Sequence, residues 1–362
     1  MKDNYCVIMA GGAGTRFWPM SRSGRPKQFI DILGTGETLI QQTYNRFLNI
    51  CPSENIYVVT SEDYRAIVKE QLPDLSEFQI LGEPSRRNTA PCIAYANHKI
   101  LKKNPNARIV VAPSDHIILK ESIFTKVVSD ALNVVGEKDW LLTIGIKPNR
   151  PDTGYGYIQY SDEENVHDIE DIRKVKTFTE KPILELAKTF LESGDFLWNA
   201  GIFIWSLKSI EKAFKQYLPE VNDLFTAGIE TYDTPAEEEF INKTYSQCKN
   251  ISIDYGIMEK ADNVYVYAAD LGWSDLGTWG SLFENSEKNN DNNSIVGKNV
   301  LTYNTKDCII NVPNNKLIVA QGLEGYIIAA KDNALLICKK EDEQMIRNIV
   351  NDIKIEKGDQ YI

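Results

Sequence analysis

Residues 5–29 read YCVIMAGGAGTRFWPMSRSGRPKQF, a short apolar run from Tyr5 to Met9 that passes directly into a glycine-rich turn and then a basic loop. A β-type run ending in glycines suits the opening of a doubly wound α/β fold, whose ligands lie outside the strand ends. Consecutive glycines let backbone N–H groups approach phosphate oxygens closely, because no Cβ stands in the way. The loop lacks the Gly-Lys-Ser/Thr ending of a Walker A motif, and Phe17 stands where a dinucleotide fingerprint needs its third glycine. It carries instead Arg16, Arg22, Arg25 and Lys27, with no acidic residue between Asp3 and Asp31.

Those cations matter because the chain as a whole is acidic, with 40 Lys plus Arg against 51 Asp plus Glu and a formal charge of -11. Nucleic-acid surfaces need clustered basic side chains, so none is expected, and any anionic substrate must be met by a local basic pocket. No apolar run is long enough for a signal peptide or a bilayer span, which predicts a soluble cytoplasmic protein without a membrane partner. Cys6, Cys51, Cys92, Cys248, Cys308 and Cys338 show no CxxC spacing and mostly sit in apolar runs. Buried reduced thiols are the expectation, with no disulfide and no structural metal.

Outward from the loop, apolar runs at YCVIM, IYVVT, FQIL, RIVVA and WLLTIGI alternate with amphipathic stretches as far as Ile146. That alternation predicts a parallel sheet with helices on its faces. Thr38 is placed to cap a helix carrying Leu39, Ile40, Thr43, Phe47 and Leu48, and Thr89 with Pro91 to open another. From residue 150 strands and helices still mix, with GYGYIQY, VKTFTEK, AGIFIWSL and VYVYAAD as strands. After Asn289 the polar NNDNNS gives way to short Val, Ile and Leu runs separated by Asn, Asp and Gly turns. The expected organisation is a catalytic domain over 1–288, its substrate half spanning 150–288, and a small all-β domain over 289–362. That small domain reads as a curled sheet or β-helix closed by an amphipathic helix near Glu343 to Ile353.

The string GGxGTRxWPxSRxxxPKQF, complete here from Gly11 to Phe29, resembles the signature of the mannose-1-phosphate guanylyltransferases, within the sugar nucleotidylyltransferase superfamily. Further segments resemble the same family: GEPSRRNTAP (Gly82 to Pro91), VVAPSDH, GYGYI, TEKP, WNAGIF, SIDYGIMEK and GWSDLGTW (Gly272 to Trp279). The resemblance implies a Rossmann-like doubly wound mixed sheet with a small C-terminal domain like part of a left-handed β-helix. It implies GMP transfer from GTP to mannose 1-phosphate, giving GDP-mannose and pyrophosphate without a covalent enzyme intermediate. A homodimer and a monofunctional form without a phosphomannose isomerase domain are further expectations.

The resemblance also assigns residues. Ala10, Gly11, Gly12, Gly14, Thr15, Arg16 and Lys27 fall to the nucleotide, with Arg16 and Lys27 on the triphosphate. Asp115 and Asp275 fall to Mg²⁺, a hard cation that takes one or two carboxylates while water and phosphate complete its octahedron. Either aspartate could instead cap the helix that follows it, and a structural role is expected for His116. Guanine presents adjacent donors at N1 and its exocyclic amine, and Glu83, beside Asn88, Thr89 and Ala90, can accept from them. On the sugar side Glu180 can accept from vicinal hydroxyls, Asn199 can donate and accept, and Gly156 permits close backbone approach. Lys181 can neutralise the sugar's phosphate, and Asp254 has a loose substrate-side role. Two rivals stand beside this reading: a nucleotidylyltransferase for another hexose 1-phosphate or NTP, and a regulatory homologue that binds GDP-mannose without making it.

Overall fold

A computed structural model of the chain describes residues 2–12, 15–161 and 171–362. The chain folds into two compact units that interleave along the sequence. The first comprises Met1–Gly11, Thr43–Ser114 and Ile118–Trp273, and the second Gly12–Gln42, Asp115–Ile117 and Ser274–Ile362.

The first unit is built on a nine-stranded mixed sheet. Its order is Ile80–Glu83, Ile56–Ser61, Asn4–Met9, Arg108–Pro113, Phe196–Ser206, Leu141–Ile146, Val264–Ala268, Ile172–Glu180 and Gly156–Tyr160. The first four strands pair in parallel, as their β-branched, doubly buried sequences predict. Leu141–Ile146 does not join them directly: Phe196–Ser206 intervenes and runs antiparallel to Arg108–Pro113 on one side and to Leu141–Ile146 on the other. The five strands of the first half thus run in one direction, as sequence order predicts, but they are not all neighbours, since alternation of elements cannot reveal a strand inserted from far along the chain. The strand read at FQIL is displaced by two residues, because Glu77–Gln79 form a 3-10 turn and the strand runs over Ile80–Glu83.

Helix Thr89–Lys103 is capped by Asn88 rather than Thr89; the Asn88 side chain accepts from the Thr89 N–H at 2.9 Å. Asn88 has φ of 69°, a left-handed conformation that asparagine tolerates better than most side chains. The freed Thr89 hydroxyl accepts from the Ile253 N–H at 2.9 Å. At the sheet's edge, the Tyr245 hydroxyl of helix Glu237–Gln247 donates to Glu83 at 3.0 Å. Burial pushes the Glu83 carboxyl up to about 7, against smaller opposing effects of that hydrogen bond and of Arg86.

In the second unit, Ser294–Val296, Ile309–Asn311 and Tyr326–Lys331 stack as a parallel ladder, and Val300–Tyr303 pairs in parallel with Ile318–Gln321. Two parallel ladders fed by successive short strands make a small β-helix-like coil, closed by the antiparallel strand Ala334–Lys339. Cys308, Ile310, Val312, Ala320, Ile328 and Ala330 fill its interior. The closing helix starts at Ile346 rather than near Glu343, because Lys340–Met345 wind as a 3-10 helix. A second core joins this coil to the basic loop: Phe17, Trp18, Ile30 and Ile32 pack with Leu276, Trp279, Ile327, Ile346 and Val350. The Phe17 and Trp279 rings lie 5.2 Å apart, and the Trp18 indole N–H donates to the Tyr361 carbonyl at 2.7 Å.

Trp279 is fully buried in this core. Trp279→Ala should therefore cost about 3–5 kcal/mol in urea unfolding, whereas Leu335→Ala, at a side chain 56% exposed, should cost less than about 0.5 kcal/mol. Glu83 adds a pH dependence. The folded chain holds its proton up to about pH 7, while the unfolded chain releases it near the ordinary value of 4.5. Stability from this group falls as pH rises through that window, because the folded state binds more protons there. Glu83→Gln keeps an acceptor for Tyr245 and removes the titration, so its melting temperature relative to the parent should rise between pH 5 and pH 8. A constant difference across that range would contradict the assignment.

Candidate active site

The glycine-rich turn begins where strand Asn4–Met9 ends. There the Ala10 N–H donates to the Val59 carbonyl at 2.7 Å, and the Thr60 hydroxyl to the Ala10 carbonyl at 2.9 Å. Gly11 follows in the first unit, where an added Cβ would lie 3.6 Å from Glu83 Oε2. Gly14 and the side chain of Thr15 lie outside the described residues, and Thr15–Phe17 form a 3-10 turn. Gly12 belongs to the second unit, where its carbonyl accepts from the Gln28 side chain at 3.0 Å, tying the turn to the basic loop.

Within that second unit Arg16, Lys27, Asp115 and Asp275, drawn from three distant segments, line one cavity of about 330 Å³. Lys27 is buried, and three oxygens surround its ammonium: Asp115 Oδ2 at 3.0 Å and the carbonyls of Asp275 at 2.7 Å and Leu276 at 3.0 Å. Arg16, by contrast, is exposed and reaches the Gly277 carbonyl at 3.5 Å. Burial tends to raise the Asp115 carboxyl, but the ammonium of Lys27 and the neighbouring His116 outweigh it and hold the group below the usual carboxylate range. His116 also borders the cavity, its Nε2 3.9 Å from Asp115 Oδ1.

The turn bearing Asp275 is locally strained. Leu276 has φ of 45°, and the Asp275 carboxylate accepts from the Gly277 N–H at 3.0 Å. A Cβ at Gly277 would come within 2.7 Å of that carboxylate, so only glycine leaves the side chain where it is. A left-handed, fully buried leucine persists only where its surroundings over-determine it, and such residues gather at functional sites. Both remaining partners of Lys27 are carbonyls of this turn, so the lysine fixes it directly.

The sugar-side candidates cluster within the first unit. Asn199 donates to Asp254 at 3.0 Å and accepts from the Thr143 hydroxyl at 2.9 Å. Asp254 opens a π-helical turn, Asp254–Met258, a local widening that recurs at functional sites. Burial raises its carboxyl to about 6, and the charge of Glu180 adds to the shift. Glu180 pairs with Lys181, whose φ of 48° is unusual for a lysine. A Cβ at Gly156 would lie 2.5 Å from Glu180 Oε2, so the glycine makes room for that carboxylate. Of the residues expected to meet the base, Glu83 is buried with one oxygen engaged by Tyr245, and Ala90 is buried in the first turn of its helix, its N–H donating to the Ile251 carbonyl. Sequence reading missed Arg347, which lines the cavity with Lys27 and both aspartates; its only sequence signal was a cation on the closing helix.

Among the described residues no helix is long and apolar enough to cross a membrane. The sequence matches the family described as Nucleotidyl transferase over residues 5–292, and the MannoseP isomerase/GMP-like beta-helix domain over residues 298–353. The mannose-1-phosphate guanylyltransferase of Salmonella montevideo is 36% identical over 98% of this chain and 75% of its own length. The Escherichia coli protein of that name is 34% identical over 96% and 75% respectively. A solved structure described as mannose-1-phosphate geranyltransferase from Thermus thermophilus superimposes with a TM-score of 0.85 at 27% identity, covering 97% of this chain and 99% of that one. The chain thus belongs to the nucleotidyl transferase family and groups with its mannose-1-phosphate guanylyltransferases.

Proposed function

We propose that the chain transfers GMP from GTP to α-D-mannose 1-phosphate in the cytoplasm, releasing pyrophosphate and leaving GDP-mannose. The observation that carries this reading is the single cavity lined by Arg16, Lys27, Asp115 and Asp275. An oxygen of the sugar's phosphate attacks the α-phosphorus of GTP in line. As that bond forms, the bond from the α-phosphorus to the oxygen bridging to the β-phosphate breaks, and pyrophosphate leaves with its electron pair. No enzyme group bonds to phosphorus, so catalysis rests on positioning and charge neutralisation.

The backbone of Ala10, Gly11, Gly12 and Gly14 cradles phosphate oxygens, and Thr15 and Arg16 continue along the triphosphate. Lys27, already held by three protein oxygens, contributes its charge from the cavity wall. The oxygen of Glu83 not engaged by Tyr245 accepts from guanine, with Asn88, Thr89 and Ala90 shaping the base pocket. Glu180, Asn199, Asp254 and the backbone at Gly156 meet the mannose hydroxyls, and Lys181 meets its phosphate. Mg²⁺ fits the donor set, since Asp115 and Asp275 offer hard carboxylate oxygens at one polar cavity and would hold it there. When bound it supplies charge neutralisation across phosphate oxygens. The division into a catalytic domain over 1–288 and a β-rich domain over 289–362, and assembly as a homodimer, are part of the same reading.

Incubation with Mg²⁺, each of the four NTPs and either mannose or glucose 1-phosphate, followed by pyrophosphate release, tests the proposal. Release should be confined to GTP with mannose 1-phosphate and lost in Asp275→Asn. Activity with another pair would move the substrate, and none with any pair would favour a regulatory binder. Lys27→Ala should lower kcat by about a hundredfold or more while KM for mannose 1-phosphate stays within about threefold. A raised KM for the sugar phosphate with unchanged kcat would remove Lys27 from the nucleotide side.

A further inference from the structure

We propose that Arg347, on the C-terminal helix Ile346–Lys357, binds the two phosphates that leave as pyrophosphate. The identity of the anion rests on the nucleotidyl-transfer reading above; the choice of residue rests on geometry. Arg347 lines the cavity of about 330 Å³ with Arg16, Lys27, Asp115, Asp275 and Gly277. It is exposed, and among the described residues nothing forms a hydrogen bond or ion pair with its side chain. Lys27, by contrast, commits its ammonium to three protein oxygens.

Charge decides what the arginine adds. Arg16 and Lys27 are matched one for one by the carboxylates of Asp115 and Asp275, so among the Arg, Lys and Asp side chains that line the cavity it is Arg347 that tips the balance to positive. Pyrophosphate is a compact polyanion that carries neither sugar nor base. Among the described residues, none of those assigned to guanine or mannose borders this cavity. A guanidinium presents a rigid fork of donors that bridges phosphate oxygens, and no competing partner must be displaced first.

The helix is held firmly enough to aim that fork. Ile346 and Val350, on either side of Arg347, are buried in the core that contains Phe17, Trp18 and Trp279. Glu343, just before the helix, accepts from the Gly280 N–H at 2.7 Å, and Tyr361, just after it, accepts from Trp18. The C-terminal domain thereby brings a substrate-contacting side chain to the basic loop.

Titration calorimetry with inorganic pyrophosphate in Mg²⁺ reads this without turnover. Arg347→Ala should weaken binding about tenfold, with Arg347→Lys recovering part of the loss. In the reverse reaction KM for pyrophosphate should rise by about the same factor, while KM for mannose 1-phosphate in the forward direction stays within about twofold. If the alanine variant melts early, Arg347→Gln is the variant judged. Pyrophosphate binding within twofold of the parent in the folded variant, or no binding by the parent, overturns the proposal. Binding that depends on Arg347 in a chain that turns over no nucleotide would uphold the arginine and sink the guanylyltransferase reading, so the two failures are distinguishable.

Discussion

One ammonium organises the second unit. Lys27 lies 88 residues before Asp115 and about 250 before Asp275 and Leu276 in the chain, yet its Nζ meets oxygens of all three. A charged group buried this deeply is tolerable only because each of its N–H directions finds an oxygen. The dependence runs both ways: without the lysine, Asp115 keeps a negative charge in a partly buried place and two carbonyls lose their donor. Breaking such a pair from one side costs about 3–5 kcal/mol, more than the pair itself contributes to stability. Its value lies in specifying where the two aspartates stand.

The second constraint is apolar. A basic loop of 19 residues with four cations has no reason to hold one shape in water, since like charges repel and loop entropy opposes order. Here Phe17, Trp18, Ile30 and Ile32 anchor it in the core of the β-helix-like coil and its closing helix. Arg22 extends the grip by donating to the Lys331 carbonyl at 3.0 Å and the Asn333 side chain at 2.8 Å. The small domain, which composition left without a task, is the loop's support. The family resemblance read from the loop is borne out by the matches over 5–292 and 298–353.

What was legible in the sequence was local. Apolar runs located the strands of the parallel end of the large sheet because burial on both faces needs continuous Val, Ile and Leu, and the glycine-rich, basic composition of the loop is a property of its own residues. The middle of the sheet was not legible: Phe196–Ser206 pairs with strands about 40, 60 and 90 residues earlier, and none of these partners carries a mark of that choice. The grouping of Lys27, Asp115 and Asp275 came from resemblance, since no spacing rule joins positions so far apart. Arg347 escaped for the same reason and for one more. Its helix showed amphipathicity, which says that one face is buried and nothing about what its polar edge meets.

The carboxylates divide by environment into two kinds suited to different work. Asp115, against the Lys27 ammonium, is held below the usual range and is charged at any physiological pH. A group of that kind can meet cations but has no proton to give. Asp254 and Glu83, pushed up to about 6 and about 7 by burial, stand close to the point of taking a proton. Asp254 is kept from going further by a backbone hydrogen bond, the charge of Lys181 and the Asn199 amide, and Glu83 by the Tyr245 hydroxyl and the charge of Arg86. Neutral hydroxyl and amide ligands suit such groups better than a metal ion does, because a carboxyl half inclined to neutrality loses little hydration energy when an uncharged partner covers it. Burial and one neighbouring lysine thus sort chemically similar side chains into a group held charged and a group inclined to hydrogen bonding.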